Sequence, residues 1–219
     1  MDMTWKDINV FQWQQLYDLQ SNVESMSEQE MSIKTIAILT NKTEQQIQDM
    51  SEKQFLKIAH KIKFLQKQFD VKHVDYIYAN GKRFKCQYDV KRMPAGRYIE
   101  TKHFAASFTE NLHRLAATMV IPQKRNWLGI WVDQPYDPSS HEEYANDMLT
   151  APITDVLGSV VFFCQVYRHW IKVSKDFLIS EMMRMKMSKL QAEIVYQALC
   201  SVLDGFTRHP LLPNMKRSN

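Results

Sequence analysis

The dipeptide Asn80-Gly81 constrains the fold of this chain more than any other stretch. It lies within VDYIYANGKRFKCQYDV, where β-branched and aromatic residues stand on both sides of it. Asn-Gly is the pair that best accepts the positive φ angles of a type I′ turn, and that turn joins two antiparallel strands. A β-hairpin over about Val74 to Val90 is therefore expected.

Elsewhere the pattern is helical. The segments SEQE (Ser27 to Glu30), TEQQ (Thr43 to Gln46) and SEKQ (Ser51 to Gln54) have the capping-box form, in which two side chains reciprocally satisfy free N–H groups at a helix start. After the third, Phe55, Ile58, Ala59, Ile62, Leu65 and Phe69 recur at helical spacing and leave Lys53, Lys57, Lys61 and Lys67 outside the stripe. A helix is expected from Thr109, as N-cap, to Pro122, and a short one from His141 to Leu149. A long, bent helical region is expected from Thr154 to Lys186. The last helix carries a stripe of Leu190, Ile194, Ala198 and Leu199, with Gly205 at the C-cap position and residues 210–219 as a tail.

With 5 Gly and 7 Pro in 219 residues, the chain is poor in the tight turns of a sandwich or barrel. The expected fold is α+β and mainly α-helical. An N-terminal helical subdomain (1–70) precedes a β-hairpin and turn (71–104). A C-terminal helical bundle follows (105–219), with an exposed loop at 123–140, and all three fit within one domain.

The net charge of +4 is uneven. The first 70 residues hold 8 Lys and no Arg against 10 acidic residues, so the basic excess belongs to the rest of the chain. A net excess this small needs no anionic partner to explain it. Cys86, Cys164 and Cys200 are odd in number, widely spaced and set in apolar surroundings, as in a reduced, cytosolic chain. The N-terminus lacks the basic start and apolar run of a signal peptide. The most apolar window, Val156 to Tyr167, is well short of the roughly 20 residues that cross a bilayer, and reads as a buried core helix. No membrane association is expected.

Catalytic and cofactor patterns are missing from the sequence. The seven histidines lack zinc-ligand spacing, and HEEY at His141 has no second histidine one turn on. Ser159 lacks the setting of a nucleophile elbow, and Cys164 lies in the most apolar helix. The glycines form neither a P-loop nor a dinucleotide fingerprint. No enzyme, metal or cofactor is expected.

Four groups of residues are candidates for contacts. Trp127, Trp131 and Tyr136 lie in the polar, Pro- and Ser-rich loop, and Met182, Met183 and Met185 lie with Met187 in one expected helix. Aromatic and Met side chains suit partner binding. Lys82, Arg83 and Lys85, near Tyr76, Tyr78 and Phe84, would combine charge with stacking in the alternative reading, a nucleic-acid-binding regulator. A helix-turn-helix at residues 32–55 is disfavoured by the acidic EQQIQDM. The fourth group is PAGRYIE, which reads as a hinge. Pro94 and Gly96 would break the hairpin pattern, Tyr98 and Ile99 resume a short strand, and Arg97 and Glu100 tie the junction by charge.

Taken in order, the capped helical start, PAGRYIE, NLHRLAATMVIP (Asn111 to Pro122), the aromatic-polar loop, YANDM (Tyr144 to Met148) and VVFF (Val160 to Phe163) resemble small proteins of the virion-assembly modules of tailed phages, including crAss-like phages of Bacteroides. The resemblance covers about residues 5 to 170. It implies a non-enzymatic tail or neck component or a tail assembly chaperone. The implied partners are other virion or assembly proteins, or copies of the chain in a homo-oligomeric ring, and the implied place is the virion or the host bacterial cytoplasm. The helices from about Lys172 onward fall outside it.

Overall fold

The computed structural model describes residues 3–22, 26–67, 72–89, 93, 95–105, 107–135 and 137–207. The protein is 63% helical, with one four-stranded antiparallel sheet, so the mainly helical α+β class holds.

Four helices open the chain: α1 (Val10–Ser21), α2 (Glu28–Thr40), α3 (Glu44–Gln48) and α4 (Glu52–Lys61). The three expected capping boxes all form, on Ser27/Glu30, Thr43/Gln46 and Ser51/Gln54. A fourth, Asn9/Gln12, caps α1. Lys53 and Lys57 are exposed and Phe55, Ile58 and Ala59 half-buried, as the stripe requires, while Phe69 lies outside the described residues. A short 3-10 turn follows at Ile62–Gln66, where Phe64 is the buried residue.

These helices serve two cores. Ile36, Ala37 and Ile47 form a small cluster with residues of α4. In contrast, Val10, Trp13 and Leu16 of α1 join the main core, and the start of α1 is bonded to residues 151–153: Val10 N–H donates to the Ala151 carbonyl and Ile153 N–H to that of Ile8.

The expected hairpin is present as β1 (Tyr76–Ala79) and β2 (Lys82–Cys86). Asn80 (φ 49°) and Gly81 (φ 71°) have the positive φ angles of the type I′ turn. Three expectations for the next stretch are corrected. PAGRYIE is not a strand-forming hinge, because Gly96 to Glu100 lie in α5 (Ala95–Ala105); Pro94 is outside the described residues. A proline just before a helix is compatible with it, since first-turn N–H groups have no intrahelical acceptor. Thr109 is no N-cap: α6 spans Leu112–Thr118, with Asn111 in the cap position. The loop 123–140 is largely a second hairpin, since β3 (Val120–Arg125) and β4 (Trp131–Asp133) extend the sheet in the order β1-β2-β3-β4. Pro122 fits β3 opposite Phe84, on the packed face of the sheet.

The remaining helices are α7 (His141–Met148), α8 (Ile153–Val173), α9 (Lys175–Arg184) and α10 (Lys189–Thr207). Val156, Leu157, Val160, Phe163, Cys164 and Tyr167 of α8 are all buried, as expected of a core helix. They meet Ile77, Ala79, Phe84 and Cys86 from the inner face of the sheet in one cluster. Buried Ser159 accepts a hydrogen bond from Val74 N–H. A Cβ at Gly158 would overlap the Lys72 carbonyl, so only glycine lets the chain entering β1 cross α8 this closely.

The C-terminal reading needs three corrections. Met185 and Met187 are not in the helix of Met182 and Met183: Lys186 is left-handed (φ 66°), and Met187 N–H closes on the Met182 carbonyl in a Schellman-like stop. Leu190 and Ile194 are exposed, while Ala192 and Tyr196 face the core. Gly205 lies inside α10 rather than capping it. Among the described residues no helix is long and apolar enough to cross a membrane. Residues 210–219 lie outside the described set.

Candidate partner-binding face

Strand alternation puts Ile77, Ala79, Phe84 and Cys86 inside and turns Tyr76, Tyr78, Arg83 and Lys85 outward. Phe84 therefore does not share a surface with Arg83, contrary to the expected aromatic-basic cluster. Register sets Arg83 opposite both Tyr78 and Gln123, and Gln123 opposite Asp133. The Arg83 guanidinium lies 3.7 Å from the Tyr76 ring centre and 5.1 Å from that of Trp131. Arg125 approaches the Trp131 ring at 4.9 Å. Cation–π contact thus holds two arginines for which no carboxylate partner exists among the described residues.

The two lysines of the hairpin have other duties. Lys82 lies at the turn, on the packed side of the sheet, and its ammonium bonds Glu143 at 2.6 Å and Asp147 at 2.8 Å. Asp147, whose side chain is only 4% exposed, also accepts from the Asn80 amide at 2.7 Å. Asn80 N–H donates to the Thr150 hydroxyl at 2.8 Å. The hydrogen bond to Asp147, then that to Glu143, raises the Lys82 pKa. Lys85 pairs with Asp133 at 3.0 Å, and the Asp133 carboxyl is held below its ordinary range by Gln123 and then Lys85. Two of the three expected phosphate-seeking cations are therefore neutralised within the fold.

The β3–β4 hairpin projects farther. Lys124 and Val132 are paired and both exposed, as is Arg125 on the opposite face, so helices cover neither side of its distal end. Its turn closes on itself: the Asn126 carboxamide oxygen accepts from Leu128 N–H and Ile130 N–H, and Asn126 N–H donates to the Ile130 carbonyl. This leaves Trp127 90%, Leu128 58% and Ile130 57% exposed. Sequence reasoning named Trp127 and Trp131 but missed Leu128, Ile130 and Arg125; the Asn-x-x-Gly spacing around Trp127 is the signal for a second turn. Tyr136 lies outside the described residues.

Further exposed apolar side chains lie on α9, α10 and the turn between them. Phe177, Met183, Met185, Leu190 and Ile194 are exposed there, with Met182 half-buried.

The former hinge residues join α5 to α7. Arg97 is buried, and Glu100 lies 3.6 Å from Nδ1 of buried His141. Phe104 stacks on the His141 ring, and Arg114 pairs with Glu142. Desolvation lowers the His141 pKa, against the opposing pull of Glu100, and its Nε2 is buried without a hydrogen-bond partner. The cluster is a polar seam between helices. Among the described residues no three His, Cys, Asp or Glu side chains group to hold a metal ion. Burial pushes the thiols of Cys86 and Cys164 up, to about 11 and about 12, so neither is a ready nucleophile. No family model, curated protein or solved structure matches this chain.

Proposed function

We propose that this chain is a non-enzymatic assembly protein of a tailed phage, a tail or neck component or a tail assembly chaperone, that acts by binding other proteins. The resemblance of PAGRYIE, NLHRLAATMVIP, YANDM and VVFF supplies the class. The observation that carries a contact role is the β3–β4 tip, which holds Trp127, Leu128 and Ile130 in solvent on a turn closed by its own hydrogen bonds. Trp, Tyr and Arg dominate binding hot spots, and the tip continues into Trp131, Arg125, Arg83 and Tyr78. A rigid turn also loses little entropy on binding. Met183 and Met185 offer a second contact surface.

The nucleic-acid alternative has less support, because Lys82 and Lys85 already face carboxylates and, among the described residues, only Arg83 of the three lacks one. Complementation tests the reading. In a phage lacking this gene, the native chain should restore particles and Trp127→Glu/Ile130→Glu, folded by circular dichroism, should not. Normal particle yield from the deletion would overturn it. Salt-sensitive retention of DNA or RNA that Arg83→Ala abolishes would favour the regulator instead.

A further inference from the structure

The outer face of the sheet carries more positive charge than its own residues balance. Arg83, Lys85 and Arg125 point there from β2 and β3 against one acidic residue, Asp133 of β4, and Lys85 takes that carboxylate at 3.0 Å. Arg83 and Arg125 are left over, and neither guanidinium has a hydrogen-bond acceptor or an acidic partner among the described residues. Both are nevertheless held in place. Arg83 lies against Tyr76 at 3.7 Å, and Trp131 is approached by Arg83 at 5.1 Å and by Arg125 at 4.9 Å. Nε of Arg83 is buried without a hydrogen-bond partner, so its stem is sunk in the sheet and its outer nitrogens are the ones that reach solvent.

This arrangement is that of a preformed anion receptor. A guanidinium resting on a ring uses its face and keeps its edge, and the edge is what donates two parallel hydrogen bonds to a carboxylate. Two cations held at one indole repel each other, and an anion set beside both relieves the repulsion. The rings hold the two side chains before a partner arrives, so less rotamer freedom is lost on binding.

Two observations select an acidic polypeptide over a phosphate backbone. Asp133 stands on the same face beside Lys85 and would repel a run of phosphates crossing the sheet. The pair Arg125–Trp131 also leads directly into the tip, where exposed Leu128 and Ile130 offer apolar surface that a peptide side chain covers and a sugar-phosphate chain does not. We infer that Arg83 and Arg125 receive the carboxylates of an acidic segment of a partner protein, which lies on the outer face of the sheet with an apolar side chain against the tip. The inference rests on the reading of the β3–β4 hairpin as a contact site, but not on the phage assignment.

Selection from a library of random short peptides tests this without a partner named in advance. The native chain should enrich peptides that carry Asp or Glu beside apolar residues. Arg83→Gln with Arg125→Gln, its fold verified by circular dichroism, should bind an enriched peptide about tenfold or more weakly. Replacing the acids of the peptide by their amides should cause a similar loss and leaves the protein untouched. No enrichment, enrichment without an acidic bias, or full affinity after either change would each overturn the inference. So would random single-stranded oligonucleotides that bind more tightly than the peptides and are released by the same arginine substitutions. In the phage, an Arg83→Gln/Arg125→Gln chain that restores particles where the tip variant fails would remove the acidic partner and leave the assembly reading in place. Normal particles from the deletion would remove the assembly reading, while the peptide selection still decides the role of the sheet face.

Discussion

The two hairpins of this sheet both turn on an Asn and a Gly, in loops of different length, and put the Asn to opposite ends. In β1–β2, the turn polar groups bond outward: Asn80 reaches Thr150 and Asp147, and Lys82 reaches Asp147 and Glu143. In β3–β4, Asn126 bonds inward to the backbone of its own turn. The first turn is fastened to α7 and has no freedom to meet a partner. The second needs nothing from the rest of the fold, so its apolar side chains stay in solvent. Where the turn side chains send their hydrogen bonds thus separates a hairpin that holds the molecule together from one that is offered to others.

The strongest way to break this contrast is Asp147→Ala. It deprives Asn80 and Lys82 of a shared, nearly buried acceptor and should destabilise the protein by about 2–4 kcal/mol, toward the low end because Lys82 is more than a third exposed and can regain water. The urea midpoint reads the loss. Hydrogen exchange should quicken in β1–β2 while the Asn126 turn keeps its protection. A midpoint unchanged within about 0.5 kcal/mol would mean that α7 does not fasten the hairpin.

Much of this contrast was legible in the sequence, but unequally. Asn80-Gly81 announced the first turn because its backbone geometry demands those residue types. The capping boxes were legible because their partners are three residues apart. The fastening of Lys82 was not, since Glu143 and Asp147 lie more than sixty residues away, and an alternating basic strand looks the same whether its charges are paired or free. The helix through Arg97 was hidden by Pro94 and Gly96, because a proline ahead of a helix and a glycine in its first turn look in sequence like the end of a strand. The second hairpin was obscured by Pro122, a residue that sheets tolerate only in special places. In the last helix, Leu190 and Ile194 have helical spacing with each other, yet Ala192 and Tyr196 do too. Only tertiary contact chooses between the two stripes.

Acid should weaken the fold through two histidines, one half-buried and one buried. Desolvation lowers the pKa of His113 and of His141, the first residue of α7, below the ordinary 6.5. The Gln14 amide lies 3.2 Å from His113 Nδ1, an arrangement suited to a neutral ring that accepts there. Below pH 6.5 the unfolded chain therefore binds more protons than the folded one. Stability is fully present above that pH and falls as pH drops through the histidine range. Glu30 and Asp133 have lowered carboxyl pKa values and titrate beneath this window. Urea midpoints should fall from pH 7.5 to pH 5.5, and His141→Gln should flatten part of the slope. A profile that is level or rises toward acid would contradict the assigned neutral state.

The smallest effect is expected at the free hairpin, and its smallness is what makes it informative. Trp127→Glu with Ile130→Glu changes two exposed apolar side chains, while the Asn126 carboxamide and the backbone groups it binds are untouched. No buried contact is removed, so the urea midpoint of the monomer should move by no more than about 0.5 kcal/mol. Particle assembly should nevertheless be lost. Stability and binding would then respond to different hairpins: Asp147→Ala lowers the first, and the tip variant the second. A loss above about 1 kcal/mol from the tip variant would show instead that Trp127 packs against the body of the monomer, which is incompatible with its serving as a freely presented contact site.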